Sequence, residues 1–322
     1  MGRFLRNILV FGLPFVGLLT WLMWDTPDRA YAYRMVQKDC RTGTWIHRRL
    51  FDSRVPVDVA FVGTSKTMCD VNDSLLEHRL LVERGKRLHI ANFGVCRLGE
   101  NTHWLIARDI FARKRPRYLV VEVSTAMATH SHFDFPDLAR AADALGAPAW
   151  GNDDYLPDIL MLCWNRLVYQ REKLLGIKRK FPEILTDEAH SFMVVAHDGI
   201  ADSTEMARIK AKRQKSLGQA LPTGFHRWLY DLRVYAAKSY FRAMHAICAG
   251  NGAKIIFLYL PDYGSAARSP QETDFFQRMG PIWTPPDSVM GNPKLHFDPS
   301  HLNQKGATKL SDWLTEKLST LE

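Results

Sequence analysis

Cysteine is scarce in this chain and follows no metal-binding pattern. The 322 residues include five cysteines, and none of them stands in a Cys-x-x-Cys or zinc-finger spacing. A zinc-stabilised fold is therefore not indicated. Cys69 and Cys96 follow predicted strand ends that we expect to be neighbours, so they are the candidate disulfide pair in an oxidising compartment. The alternative is that the cysteines are small buried apolar side chains.

The chain also lacks internal repeats and segments of low complexity. These absences argue against a repeat architecture and against a largely disordered chain. Hydrophobic residues make up 46% and charged residues 24% of the sequence, proportions that are typical of globular proteins. A chain of this length can bury one large core or two small ones.

The N-terminal segment predicts a membrane anchor, because residues 8–24 carry no charge. A helix of that length spans about 26 Å, or about 32 Å if Phe4 and Leu5 extend it, close to the thickness of the hydrocarbon layer. Arg3 and Arg6 precede the segment, and Asp25 and Asp28 follow it. The positive-inside rule then predicts a single-pass protein of the inner (cytoplasmic) membrane. Its tail, residues 1–7, would be cytoplasmic and its main domain periplasmic or extracellular.

The alternative to an anchor is a cleaved signal peptide, since Ala30-Tyr31-Ala32 has the form of a cleavage site. The charges of Asp25, Asp28 and Arg29 separate that site from the apolar run, which favours the uncleaved anchor. Trp21 lies near the end of the run, where tryptophan commonly meets the interface of the lipid bilayer.

The net charge is +9, and the excess cations occur in clusters. One reading is a solvated helix face. The other is attraction to anionic lipid headgroups or to an anionic envelope polymer. Nucleic acid is not an expected partner, because an exported domain would rarely meet it. The clusters are Lys173, Lys178, Arg179 and Lys180, followed by Arg208, Lys210, Lys212, Arg213 and Lys215.

Short apolar runs alternate with helical patterns beyond a juxtamembrane connector at residues 25–54. The runs are apolar on both faces, as in strands of a parallel sheet covered by helices. Residues 55–322 are therefore predicted to form a three-layer α/β domain, with a helical insertion at about 130–225 that lies over the sheet edge as a lid or partner-binding face. The predicted strands are Val57–Val62, Leu88–Phe93, Tyr118–Val123 and Lys254–Leu260, and the predicted helices are Thr102–Phe111, Leu156–Leu175, Thr204–Leu217, Phe241–Ala249 and Gln304–Leu318.

Two motifs near opposite ends of the chain together predict a serine nucleophile and its base. Ser65 follows the first predicted strand, and strand ends are where open parallel sheets bind ligands. Asp298 and His301, three residues apart, precede the final helix. A serine needs a base to remove its proton, and the base needs a carboxylate to hold its tautomer. The alternative is that these residues only cap helices. Thr64 and Ser65 would cap the helix after the first strand, and Asp298 or Asn303 would cap the final helix.

These motifs differ from the Gly-x-Ser-x-Gly elbow, because position 67 is Thr. The sequence around Ser65 and the late Asp298-x-x-His301 resemble instead the SGNH (GDSL-type) hydrolase superfamily. That resemblance implies a flavodoxin-like parallel sheet and a triad of Ser65, His301 and Asp298 that needs no metal or cofactor. It also implies an oxyanion hole that includes the backbone N–H groups of Ser65 and Gly94.

The anchor and the exported domain together resemble membrane-tethered SGNH proteins that serve O-acylation of bacterial envelope polysaccharides. That resemblance implies a serine acyltransferase, active in polysaccharide O-acetylation beside a membrane-bound O-acyltransferase. Two alternatives remain open. The same triad would serve an anchored esterase of glycans or lipids, and the fold alone would serve a non-catalytic assembly subunit.

The third strand departs from the superfamily pattern, which places an Asn side chain in the oxyanion hole. This strand ends Val121-Glu122-Val123-Ser124-Thr125, without an Asn. Ser124 is the weak replacement candidate, whereas Glu122 is predicted to pair with a nearby cation such as Arg97.

A histidine pair follows the third strand. His130 and His132, with Asp134, have donor types that bind metals, but the sequence offers no further ligands. We therefore expect no metal, and we expect these histidines to border the pocket and contact substrate. His296 is predicted to be structural.

Overall fold

The computed structural model describes residues 2–24, 26–40, 42–177, 190, 202–215, 221–265 and 267–321. Its centre is a five-stranded sheet in which all neighbouring strands are parallel. The spatial order is β2-β1-β3-β4-β5. The strands are β1 (Val59–Val62), β2 (Ile90–Asn92), β3 (Tyr118–Val123), β4 (Lys254–Tyr259) and β5 (Ile282–Trp283).

The predicted α/β class is confirmed, and its cause is visible in β1. Alternate residues of this strand face opposite sides, so Ala60 and Val62 join one apolar cluster while Val59 and Phe61 join the other. All four are fully buried. Helices must therefore cover both faces of the sheet. The first four strands lie where they were predicted, but β5 was not predicted, because two residues show no periodicity.

Helices flank the sheet on both sides. They are α1 (Gly2–Trp24), α2 (Arg29–Cys40), α3 (Gly43–His47), α4 (Ser65–Asp70), α5 (Asp73–Arg84), α6 (Glu100–Arg113), α7 (Phe135–Leu138), α8 (Ala141–Leu145), α9 (Tyr155–Leu175), α10 (Ser203–Lys215), α11 (Gly224–Arg233), α12 (Tyr235–Gly250), α13 (Thr273–Gln277), α14 (Asp287–Met290) and α15 (Gln304–Ser319). A short π-helical segment spans Arg48–Asp52, and a 3-10 turn spans Pro293–Leu295.

Two pairs of helices form most of the covering layers. Ile106 of α6 and Phe241 of α12 pack on one face, and Leu80 of α5 and Leu314 of α15 pack on the other. The final helix places apolar residues three to four positions apart, which gives it a single buried stripe. This stripe fixes the position of the loop that precedes α15.

The N-terminal helix α1 is long and apolar enough to cross a membrane. Its last turn packs on the domain, since Leu22 and Met23 are buried. The following residues are more than a connector, because Tyr33, Val36 and Ile46 are fully buried in the same core. Residues 25–54 therefore contribute to the core, which their polar composition did not indicate.

The predicted disulfide between Cys69 and Cys96 is wrong. Cys96 is disulfide-bonded, but Cys69 is a free, buried thiol. Cys69 lies in the last turn of α4, beyond the strand end used for the prediction. Burial raises the pKa of its thiol to about 12, so it behaves as a small apolar side chain.

The insertion contains helices in the part of it that the structure describes. Helices α9 and α10 lie within two residues of the predicted helices, although the predicted end at Leu217 lies outside the described residues. The basic residues Lys178, Arg179 and Lys180 also lie outside them.

The strand order reverses direction between β1 and β3, because β2 lies on one side of β1 and all later strands on the other. The order 2-1-3-4-5 is the doubly wound order of flavodoxin-like sheets. In such sheets ligands bind outside the carboxyl ends of the strands at the point of reversal. The loop after β1 lies at this point.

Candidate active site

The three predicted triad residues come together at the carboxyl edge of the sheet. The Ser65 Oγ atom lies 2.8 Å from His301 Nε2. The His301 Nδ1 atom lies 2.7 Å from Asp298 Oδ2. Folding therefore joins a serine and a histidine 236 positions apart in one hydrogen-bond chain.

Ser65 is placed by a sharp turn from β1 into α4. Thr64 is the N-cap of α4, and its hydroxyl accepts the Lys66 N–H at 3.2 Å. Ser65 is the first residue of the helix. A Cβ atom on Gly63 would lie 2.5 Å from the Glu122 Cβ, so only glycine lets β3 approach the turn this closely. Thr64 thus has the predicted capping role. The Ser65 hydroxyl group does not cap the helix and is directed at His301.

Glu122, at the end of β3, holds this turn from the neighbouring strand. Its carboxylate accepts the backbone N–H groups of Thr64 at 2.8 Å and of Thr67 at 3.1 Å. It also accepts the hydroxyl groups of both threonines. A carboxylate at a helix N-terminus satisfies donors that the helix itself leaves open. The predicted pairing of Glu122 with Arg97 is wrong. The Arg97 guanidinium lies over the ring of Phe133, 5.2 Å from the ring centre.

His301 is placed by a tight loop before α15. Asp298 Oδ1 accepts the N–H groups of Ser300 at 2.7 Å and of His301 at 2.8 Å. Asn303 is the N-cap of α15, and its side chain accepts the Gly306 N–H. Asp298 is therefore not the cap of this helix, and its second oxygen is left to orient the imidazole.

The electrostatics favour an ionised Asp298. Burial opposes ionisation, but hydrogen bonds from the His301 ring and the Ser300 N–H lower the pKa of Asp298 to about 2. Burial also opposes protonation of His301, yet the hydrogen bond to Asp298 and its charge raise the pKa of His301 above the ordinary 6.5. A neutral His301 that donates from Nδ1 to Asp298 has its lone pair on Nε2, facing Ser65. This is the arrangement of a general base.

Asp70 is a site residue that the sequence did not reveal. It is fully buried at the end of α4, and its Oδ1 accepts the Leu302 N–H at 2.9 Å. The contact ties α4, which carries Ser65, to the residue after His301. Burial raises the pKa of Asp70 to about 8, although His301 and the Leu302 N–H oppose this. Its partner is 232 positions away, so no local pattern could have indicated the role.

We expect Asp70→Ala to slow any reaction of Ser65, because the buried Leu302 N–H loses its acceptor and the His301 loop loosens. Asp70→Asn keeps an acceptor oxygen and should react at nearly the wild-type rate at pH 7, where Asp70 is mostly protonated. The measurement is the labelling rate of Ser65 by an active-site probe. Equal rates for the Ala variant and the wild type would contradict this positioning role.

Asp70→Asn should also change the pH dependence of stability. The pKa of Asp70 is about 8 in the folded state against an ordinary value of 3.8, so the folded state retains an extra proton between these values. Stability is therefore lost as pH rises through this window, by about 1.4 kcal/mol per pH unit from this group. The Asn variant lacks this loss. Its free energy of unfolding in urea, relative to that of the wild type, should therefore be more favourable at pH 8 than at pH 5. An equal difference at both pH values would argue against the buried, protonated carboxyl.

The two predicted oxyanion donors differ in availability. The Ser65 N–H opens α4 and makes no hydrogen bond within the described ranges. The Gly94 N–H, in contrast, donates to Asn92 Oδ1 at 3.0 Å. A Cβ on Gly94 would lie 2.5 Å from the Met68 nitrogen, so this glycine lets the loop after β2 pack against α4. Its role as an oxyanion donor stays a prediction and requires the Asn92 side chain to release it.

The weak candidates after β3 are used in local contacts. The Ser124 hydroxyl donates to the Ala126 carbonyl at 2.6 Å, so it closes a turn in this conformation. His130 is exposed and lies 3.3 Å from Asp154. For Ser124 and His130, contact with substrate stays a prediction.

His132 cannot contact a substrate in this structure, and that prediction is wrong. The residue is buried. Its Nε2 lies 2.6 Å from the Cys96 carbonyl, and its Nδ1 accepts the Asp134 N–H. Burial lowers the pKa of His132 to about 4, so the ring is neutral and links the loops that follow β2 and β3. Among the described residues, no group of three or more His, Cys, Asp or Glu side chains is arranged to hold a metal.

The insertion reaches the rim of the site through α10. Arg213 donates to the carbonyls of Tyr263 and Pro299, at 2.8 and 2.9 Å. It also pairs with Asp262, which in turn pairs with Lys66, next to Ser65. The insertion thus contacts the residue beside Asp298, a link between distant segments that the sequence did not indicate.

Comparison with known proteins adds no family assignment. No protein-family model matches the chain, and no curated protein is significantly similar to it. The resemblance to the SGNH superfamily therefore stays a hypothesis based on the motifs around Ser65, Gly94 and His301.

Proposed function

We propose that this chain is a membrane-anchored, extracytoplasmic serine acyltransferase of SGNH type that acylates hydroxyl groups of a cell-envelope polysaccharide. The observation that carries the proposal is the hydrogen-bond chain from Asp298 through His301 to Ser65. In this hydrogen-bond chain Ser65 has both groups that acyl transfer needs, a base to take its proton and a carboxylate to orient the base.

In the first half-reaction, the Ser65 Oγ attacks the carbonyl carbon of an ester or other activated acyl group. His301 Nε2 takes the hydroxyl proton as the new C–O bond forms. The negative charge that develops on the carbonyl oxygen faces the Ser65 N–H at the start of α4, where the helix dipole also favours an anion. Collapse breaks the bond to the leaving group, which receives the proton from His301, and leaves the acyl group on Ser65.

In the second half-reaction, an acceptor hydroxyl group gives its proton to His301 and attacks the acyl-enzyme. The Ser65–acyl bond then breaks, and Ser65 regains the proton. A sugar hydroxyl as acceptor makes the protein a transferase, whereas water makes it an esterase. The membrane-length helix α1 supports placement in a membrane. The proposed location is the inner membrane, beside a membrane-bound O-acyltransferase that would supply acyl groups.

A non-catalytic assembly subunit is the second candidate. The observation that favours it is the state of the oxyanion site, where the Gly94 N–H and the Ser124 hydroxyl already have partners. An intact triad has no evident use in such a subunit, so the enzyme is preferred.

A fluorophosphonate probe tests the enzyme against the assembly subunit. We expect detergent-solubilised protein to be labelled, because the activated Ser65 Oγ displaces fluoride from phosphorus. Ser65→Ala should abolish labelling, and Ser239→Ala, on α12 and away from the site, should retain it as the matched serine control. Absence of labelling in wild type, under conditions that label a control esterase, would favour the assembly subunit.

Incubation with an acyl donor and candidate glycans then separates transfer from hydrolysis, since release of free acid alone excludes the transferase.

The labelling rate should fall as pH decreases, because only neutral His301 accepts the Ser65 proton. The pKa of His301 is raised, so the midpoint should lie above the ordinary value of 6.5. Asp298 ionises near pH 2 and does not contribute in that range. The measurement is the second-order labelling rate across pH 5–9. A rate that is flat through pH 6–8 would show that His301 is not the base.

A further inference from the structure

Helix α9 presents apolar side chains outward. The exposed fraction is 65% for Leu160 and 61% for Trp164. Because a helix turns once every 3.6 residues, positions 156, 160, 164, 167 and 174 share one side of it. We call this set the α9 stripe: Leu156, Leu160, Trp164, Leu167 and Leu174, all exposed.

The opposite side of α9 faces the domain, and it buries polar side chains beside the apolar Leu162 and Cys163. Asp158, Arg166 and Glu172 are buried. Asp158 accepts the Ser131 hydroxyl at 2.6 Å, Arg166 donates to the Ala139 carbonyl, and Glu172 accepts the Tyr31 hydroxyl. A surface helix in water has polar side chains on its outer face, whereas the outer face of α9 carries the apolar stripe. Several large apolar side chains exposed on one side of a helix indicate an interface.

The α9 stripe lies close to the membrane-length helix α1. Helix α1 contacts α9, and Met23 in its last turn shares one apolar cluster with Leu162 and Cys163 of α9. Trp21 and Trp24 of the same turn remain exposed. If α1 crosses a bilayer, α9 lies where α1 leaves it.

We propose that the α9 stripe lies on the lipid bilayer and is a second membrane contact beside α1. The proposal rests on the membrane anchor of the proposed function. Apolar side chains would enter the acyl region, and Trp164 suits the interface. The exposed cations Arg171 and Lys173 would meet lipid phosphates. Such a contact fixes the orientation of the domain, so that the triad is held at a constant height above the membrane.

Nitroxide labels on the full chain test this contact in nanodiscs of phosphatidylethanolamine and phosphatidylglycerol. Leu160→Cys and Leu167→Cys report on the stripe, and Val10→Cys reports on α1. Val82→Cys, on exposed α5, is the soluble control. Cys69, Cys163 and Cys248 are buried, and the unsubstituted chain measures their background. We expect collisions with oxygen to exceed those with a water-soluble nickel reagent at positions 160, 167 and 10, and the ratio to invert at position 82.

Three other outcomes separate the possible failures. Water contact at positions 160 and 167, with lipid contact at position 10, overturns the stripe proposal and leaves the anchor intact. Water contact at position 10 as well overturns both. If the labels at positions 160 and 167 are shielded from the nickel reagent in native membranes but not in nanodiscs, the stripe contacts a membrane protein partner. That outcome overturns the lipid proposal.

Discussion

Asp298→Asn is expected to lower the rate of acyl transfer, or of probe labelling, by about 10⁴-fold, as loss of the orienting carboxylate does in serine triads. The reason is the tautomer of His301. An Asn whose nitrogen faces His301 donates to Nδ1, so the proton moves to Nε2 and no lone pair faces Ser65. The measurement is the labelling rate relative to wild type at fixed pH.

The same substitution should leave the loop largely intact. Asp298 Oδ1 accepts two backbone N–H groups, and the Asn amide oxygen can keep both. Asp312→Asn, a substitution on α15 at a carboxylate that pairs with Arg79, is the matched control and should label at the wild-type rate. A loss in labelling below about tenfold for Asp298→Asn, with a normal Asp312→Asn, would show that another group orients the base.

Residual activity of Asp298→Asn should also have a different pH midpoint. The hydrogen bond and charge of Asp298 raise the pKa of His301, whereas burial lowers it. Removing the charge leaves burial dominant, so the midpoint should move to lower pH. A merely structural defect would lower the rate without moving the midpoint.

Local chemistry made the triad and most of the sheet predictable. Strands β1, β3 and β4 are apolar on both faces, a pattern that depends only on neighbours in sequence. Asp298 and His301 are three residues apart, so one loop carries both the base and its orienting group. Ser65 could be chosen as the candidate nucleophile because a serine directly after a buried strand has few structural uses besides capping.

Contacts between distant segments were not predictable from the sequence. Asp70 meets Leu302 and Arg213 meets Pro299 only because the sheet and α10 bring them together. His132 has the residue type of a site histidine, yet its position beneath two loops makes it a buried linker. Burial is a property of the whole fold, so residue type alone assigned it wrongly.

Glu122 shows how such a distant contact supports the turn that carries Ser65. The superfamily pattern places an Asn near this strand end, whereas this chain places a carboxylate that accepts donors from the nucleophile turn. Glu122 of β3 therefore fixes the turn that carries Ser65. It does so without a hydrogen bond to Ser65 itself.

Glu122→Ala is expected to lower the free energy of unfolding by roughly 2–6 kcal/mol, because the buried N–H groups of Thr64 and Thr67 lose their acceptor. The labelling rate of Ser65 should fall with it. Glu122→Gln is the matched control, since its amide oxygen can accept both N–H groups while its nitrogen donates to the Thr64 hydroxyl. Urea unfolding of the detergent-solubilised variants gives the stability, and the fluorophosphonate rate gives the site geometry. If the Ala variant unfolds like wild type, the carboxylate does not hold the turn. If the Gln variant is as unstable as the Ala variant, the negative charge contributes more than the acceptor oxygen.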